Sequence, residues 1–121
     1  MVGTNATQTL TNKRIDPRVS STTSTASITP DISSFDMYAL TAQAATLTIN
    51  APTGTPVDGD KLMFRILDNG TSQTLTWNAT FTTATFFTVP TATVAGKMLY
   101  IGFIYNAANT RWDAISIVNQ V

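Results

Sequence analysis

At 121 residues the chain is long enough for one domain with a core of its own. Its 7 basic and 7 acidic side chains cancel, so no global field favours nucleic acid, a membrane surface or an acidic partner. With no Cys and no His, disulfides, thiolate or imidazole nucleophile–base pairs and Zn sites are excluded.

Charged residues make up only 12 % of the chain, about half the usual share. All the acids are Asp, and Thr supplies about a fifth of the residues. Such a surface is built from hydroxyls and amides, which suits a protein largely covered in an assembly.

Residues 1–23 lack hydrophobic periodicity and hold three of the basic residues, Lys13, Arg14 and Arg18, around Asp16-Pro17. The segment is predicted to be an extended arm ahead of a domain at 24–121. Leu10, Ile15 and Val19 stand among those charges as apolar anchors. The expected assembly contact is therefore Leu10, Lys13, Arg14, Ile15, Arg18 and Val19, laid along a neighbouring subunit as an added strand. Met1-Val-Gly-Thr-Asn5 has neither a basic n-region nor an apolar h-region, so synthesis without export is expected.

From Ser24 the pattern turns to strands. Ser24–Thr29 is a weak edge strand closed by Pro30-Asp31, Phe35–Thr41 alternates, and Thr46–Asn50 turns Leu47 and Ile49 inward. Ala42–Ala45 is the one stretch that could form a turn of helix. After the turn-rich 51–60, Lys61–Leu67 alternates Leu62, Phe64 and Ile66 against Lys61, Met63 and Arg65. Asp68-Asn69-Gly70 signals a hairpin returning through Gln73–Trp77. Thr80–Thr88 carries a short strand ended by Pro90. Lys97–Val118 is the most apolar stretch: two strands joined by Asn106–Asn109, the first apolar on both faces and so central in a sheet. Gly102 within it predicts close approach of a neighbouring backbone. The longest apolar run, Met98–Tyr105, is far short of the ~20 residues that span a membrane as a helix.

Seven or eight short strands punctuated by Gly, Pro and Asn predict an all-β fold: an antiparallel β-sandwich, jelly-roll-like, with the N-terminal arm ahead of it. No internal repeat stands out, the threonine strings being compositional.

Candidate chemistry is sparse. Asp58-Gly59-Asp60, with Asp68 nearby, is the one acidic grouping that could hold Ca²⁺, but no full loop signature follows and a solvated turn is the better reading. Trp77, Trp112, Tyr38, Tyr100 and Tyr105 could stack on a sugar, though their inward strand positions favour core packing. The basic cluster is too small for a nucleic-acid footprint. Neither a cofactor nor a metal is expected, and no catalytic residue is assigned. The chain is not expected to be an enzyme.

Thr9-Leu-Thr-Asn-Lys-Arg-Ile-Asp-Pro-Arg-Val19 is followed in order by Phe35-Asp-Met-Tyr38, Thr53-Gly-Thr-Pro56, Asp58-Gly-Asp-Lys-Leu62, Arg65-Ile-Leu-Asp-Asn-Gly70, Leu75-Thr-Trp77 and Ile104-Tyr-Asn-Ala107…Trp112-Asp113. This order resembles a β-rich module of virion structural proteins from tailed bacteriophages, often the last domain of tail-fibre-like or head-associated proteins. The resemblance runs from about Thr9 onward and carries no catalytic motif. It implies a virion structural protein, made in the host bacterial cytoplasm. The partners it implies are other virion proteins of capsid or tail and further copies of the chain, a homotrimer favoured, with neither nucleic acid nor membrane. The short stretch ahead of the module favours a small stand-alone capsid decoration or fibre-base subunit. The alternative is a receptor-binding tail-fibre tip that holds host carbohydrate.

Overall fold

Period-two alternation carries much of the chain into strands. The computed structural model describes Thr7, Thr9 and residues 11–121. It contains β1 (Val19–Thr22), β2 (Ser27–Ile28), β3 (Met37–Gln43), β4 (Leu47–Ile49), β5 (Lys61–Asp68), β6 (Leu75–Trp77), β7 (Phe81–Thr82), β8 (Leu99–Asn106) and β9 (Arg111–Asn119). No helix forms among the described residues, so Ala42–Ala45 is not helical. Residues 19–22, placed in the arm by their polarity, are instead a strand of the domain.

The fold is all-β with mixed sheets. One sheet runs β1-β3-β5-β8-β9-β7 and the other β2-β4-β6. The chain crosses between them at each step from β1 to β6, so like strands stack in parallel. Met37–Leu40 lies over Met63–Ile66, and Leu47–Ile49 over Leu75–Trp77. These are repeated rungs that the sequence reading did not find, because corners of unequal length break the period. The antiparallel pairs are β5–β8 and the β8–β9 hairpin, whose β8 is central as expected.

The hairpin expected at Asp68-Asn69-Gly70 is a corner between sheets. Gly70 does take positive φ, +94°. Both edges of β5, however, are occupied by β3 and β8, so β6 has no place beside it and crosses to β4.

Inward residues of both sheets form one core. Phe64 and Phe103, from the larger sheet, and Leu47, Ile49 and Leu75, from the smaller, are buried together. Phe64 meets Trp77, Phe81 and Phe103 edge-on, with centroids 5.3–6.0 Å apart, a favoured aromatic geometry. Of the five aromatics weighed as a sugar platform, Tyr38 and Trp112 are core residues and Trp77 and Tyr105 pack against the core. Tyr100 alone belongs to the other face, paired with Arg65 and Val118. At Gly102 the close neighbours are side chains rather than backbone: an added Cβ would lie 2.7 Å from Ser116 Oγ and 3.2 Å from Met63 Cε. The β8–β9 register shifts there.

Candidate functional site

Parallel strands begin at the same end of a sheet, and this places the leading residues of four strands together. Arg18 precedes β1, Asp36 precedes β3, Lys61 opens β5, and Trp112 lies at the start of β9. With Ile15, Ile32, Phe35, Gly59 and Asp60 they line an open groove of about 570 Å³, within the size range of small-ligand sites.

The Arg18–Asp36 pair organises this end. Arg18 Nε and Nη2 donate to the two carboxylate oxygens of Asp36 at 3.1 and 2.7 Å, a bidentate fork. The Arg18 amide also donates to Asp36 Oδ2, while Asp36 N and Met37 N donate to Arg18 O. The remaining guanidinium bonds go to the carbonyls of Ser33 and Ile32. The hydrogen bonds to Arg18 hold Asp36 below the usual carboxylate range, and the bond to Asp36 raises Arg18 further above its ordinary value. Asp31, whose oxygens accept from Ser34 Oγ and Ser33 N, is also depressed by those bonds. Asp60 Oδ2 accepts from Val57 N at 2.8 Å, and Gly59 turns at φ +90°. Asp58 Oδ1 accepts from Ala107 N and so ties this turn to the β8–β9 loop. The Asp58-Gly59-Asp60 grouping therefore acts as a turn, and no metal-holding cluster of acids exists among the described residues. Lys61 is exposed and forms no ion pair among the described residues. The groove carries two cations and two carboxylates beside the Phe35 ring, so it is polar without net charge.

The expected assembly strip divides in this arrangement. Leu10 lies outside the described residues. Lys13 is exposed, Ile15 is 90 % exposed, and Arg14 pairs at 2.9 Å with Asp16 where both are bathed in solvent. Such a pair contributes little. Arg18 is committed to Asp36 within its own chain, and Val19 opens β1 opposite Met37. Asp36, Phe35, Asp60 and Lys61 were not foreseen as partners of Arg18 at one end of the molecule. Their one sequence signal is position, since Asp36 and Asp60 each stand immediately before a strand.

A second polar centre lies inside the corners. Gln43 and Asp68 face each other in adjacent rungs, exposed by 0 % and 3 %. Gln43 accepts from Thr25 N and donates to the carbonyls of Thr25 and Ala45. Burial alone would raise the Asp68 pKa, but the Thr93 hydroxyl and the amides of Gly96 and Gly70 hold it low. Asp113 is held low by Thr82, against some desolvation, with help from Asn106 and Arg111. No buried side-chain polar atom among the described residues lacks a partner. These carboxylates act as ionised acceptors within the fold. No family model, curated protein or solved structure matches this chain.

Proposed function

We propose that the chain is a small virion surface subunit of a tailed bacteriophage, a capsid decoration or fibre-base component that docks through its N-terminal segment and self-associates. The motif order described above suggests this reading, and those motifs coincide with the parts that build the domain: the lead into β1, the Arg18–Asp36 end, the turn into β5, and the β8–β9 hairpin. The observation that carries the docking role is that residues 11–17 are exposed throughout and precede the first strand. The docking strip is then Lys13 to Ile15 with the residues ahead of it, while Arg18 and Val19 stay with the domain. In this reading the finer architecture is a short two-sheet solenoid of parallel rungs closed by a hairpin, rather than a jelly roll, and it carries no catalytic role.

Deleting residues 1–17 tests the docking role and spares β1 and its Arg18 anchor. The truncated protein is expected to melt within a few degrees of the full chain and to be missing from assembled particles. Incorporation at unchanged occupancy would refute docking by this segment. The groove supports a second reading, a receptor-binding tip: an aromatic face beside balanced donors and acceptors suits a neutral saccharide. Titrating neutral oligosaccharides while following the backbone resonances of Phe35 and Lys61 tests it, and unmoved resonances would remove it.

A further inference from the structure

The corner between β5 and β6 sets a side-chain amide beside a main-chain nitrogen that no side chain shields. Asn69 is the one Asn of the chain followed by Gly, and both residues are exposed. A Cβ added at Gly70 would meet nothing within 4 Å, so water has open access to this turn. Asn69 Oδ1 accepts from Thr71 N and Gln73 Nε2, each at 3.3 Å. Donors at a carbonyl oxygen draw electron density from its carbon, so Asn69 Cγ is left open to attack. The Gly70 amide, by contrast, is restrained. It donates at 3.0 Å to Asp68 Oδ1, on a carboxylate only 3 % exposed. Thr93 Oγ1 and Gly96 N hold that carboxylate in place. Asn69 N in turn donates to the Gln43 carbonyl of the neighbouring rung at 3.1 Å.

We propose that Asn69 is a site of spontaneous deamidation and isomerisation, and that the Asp68 carboxylate restrains the reaction by holding the Gly70 amide proton. The Gly70 nitrogen attacks Asn69 Cγ only after losing its proton to hydroxide. The new C–N bond closes a five-membered imide, the Cγ–NH2 bond breaks, and the departing nitrogen takes a proton from water and leaves as ammonia. Water then opens the ring at either carbonyl, leaving aspartate or isoaspartate at position 69. The net exchange is one water consumed for one ammonia released, with no oxidant or cofactor. A fixed negative charge in a poorly solvated corner opposes a second negative charge on the nitrogen bonded to it, so attack waits for the corner to open. Asp68 is no base for that proton. Although burial opposes it, the Thr93 hydroxyl and the Gly96 and Gly70 amides hold its carboxyl below the usual carboxylate range, far from the value of an amide. The product cannot restore the corner. Aspartate at 69 sets a second carboxylate beside Asp68, and isoaspartate adds a methylene to the main chain ahead of Gly70. A transient opening between β5 and β6 thereby becomes permanent.

Incubating the full chain in mildly alkaline buffer, with and without urea, tests this. Peptide mapping with fragmentation localises the mass gain of an amide-to-acid change, and chromatography separates the two acid isomers. In urea, position 69 should convert to aspartate and isoaspartate together. In the folded chain it should convert at least ~tenfold more slowly, because local opening must come first. Asp68→Asn should remove most of that protection while the folded circular dichroism spectrum is retained. Thr93→Val loosens the same corner by removing the Thr93 bonds to Asp68 and Gln73. It leaves the carboxylate on the Gly70 amide, so it should keep most of the protection. Equal rates with and without urea would overturn the protection, and no conversion in either would overturn the site. Aspartate without isoaspartate would overturn the imide route. An Asp68→Asn chain as slow as the unchanged one would overturn the role of the carboxylate. So would a Thr93→Val chain as fast as Asp68→Asn, since loosening rather than charge would then set the rate.

Discussion

Asp68 is 3 % exposed, yet its carboxylate is fully engaged, by Thr93 Oγ1 at 2.6 Å and by the amides of Gly96 and Gly70 at 2.8 and 3.0 Å. An ionised acceptor suits three donors, whereas an amide offers only one acceptor oxygen. Asp68→Asn is therefore expected to cost ~1–3 kcal/mol, the penalty for leaving buried donors unmet. That corresponds to a melting temperature lower by roughly 4 °C or more, measured by circular dichroism at pH 7. An unchanged melting temperature would mean that the corner is held by its backbone geometry rather than by this carboxylate.

Among the elements, the corner that ends the first rung is closed by Gln43, beside Ser24 Oγ, which accepts from Ala44 N. Besides the β1–β3 pairing, Gln43 closes the rung by accepting from Thr25 N and donating to the Thr25 and Ala45 carbonyls. Gln43→Met keeps the volume and removes all three bonds. It is expected to cost at least ~2 kcal/mol, and the loss should be local. Amide exchange at Ser20–Thr25 should accelerate well before β5 and β8 respond, because the outer rung opens without the central strands. Uniform acceleration across every strand would contradict this and indicate one cooperative unit. The exposed edge at β1 is only four residues, VSST, and Pro17 precedes it, a short polar edge of the kind that resists uncontrolled pairing.

For the whole molecule, the acid limb of stability follows from its carboxylates. Asp31, Asp36, Asp68 and Asp113 all have folded pKa values below their ordinary value. The unfolded chain then binds more protons than the folded one as pH falls, so these groups contribute stability above the unfolded Asp value of ~3.9 and lose it as pH drops through their folded values. With no His and no Cys, stability should be nearly flat from about pH 5 to 8 and fall steeply below ~4. Urea midpoints measured against pH test this, and a midpoint that rises on acidification would reverse the sign. Asp68→Asn should flatten part of that acid limb.

Much of the local structure was legible because alternation is written residue by residue. The inward set of Leu62, Phe64 and Ile66, the two-faced strand at β8 and its hairpin through Asn106–Asn109 all follow from period two and turn chemistry. Which strand lies beside which was not legible. Asp68-Asn69-Gly70 carries the local signal of a hairpin, yet occupied edges on both sides of β5 send the chain to the other sheet. Arg18 shows the same limit: it belongs to a run of exposed charge in sequence, and only parallel stacking of β1 on β3 brings Asp36 to it. Local sequence determined strand identity and facing, since both depend on neighbouring residues. Tertiary structure alone decided the parallel rungs and the groove at their leading ends, because each requires residues far apart in the chain to share one edge or one end of a sheet.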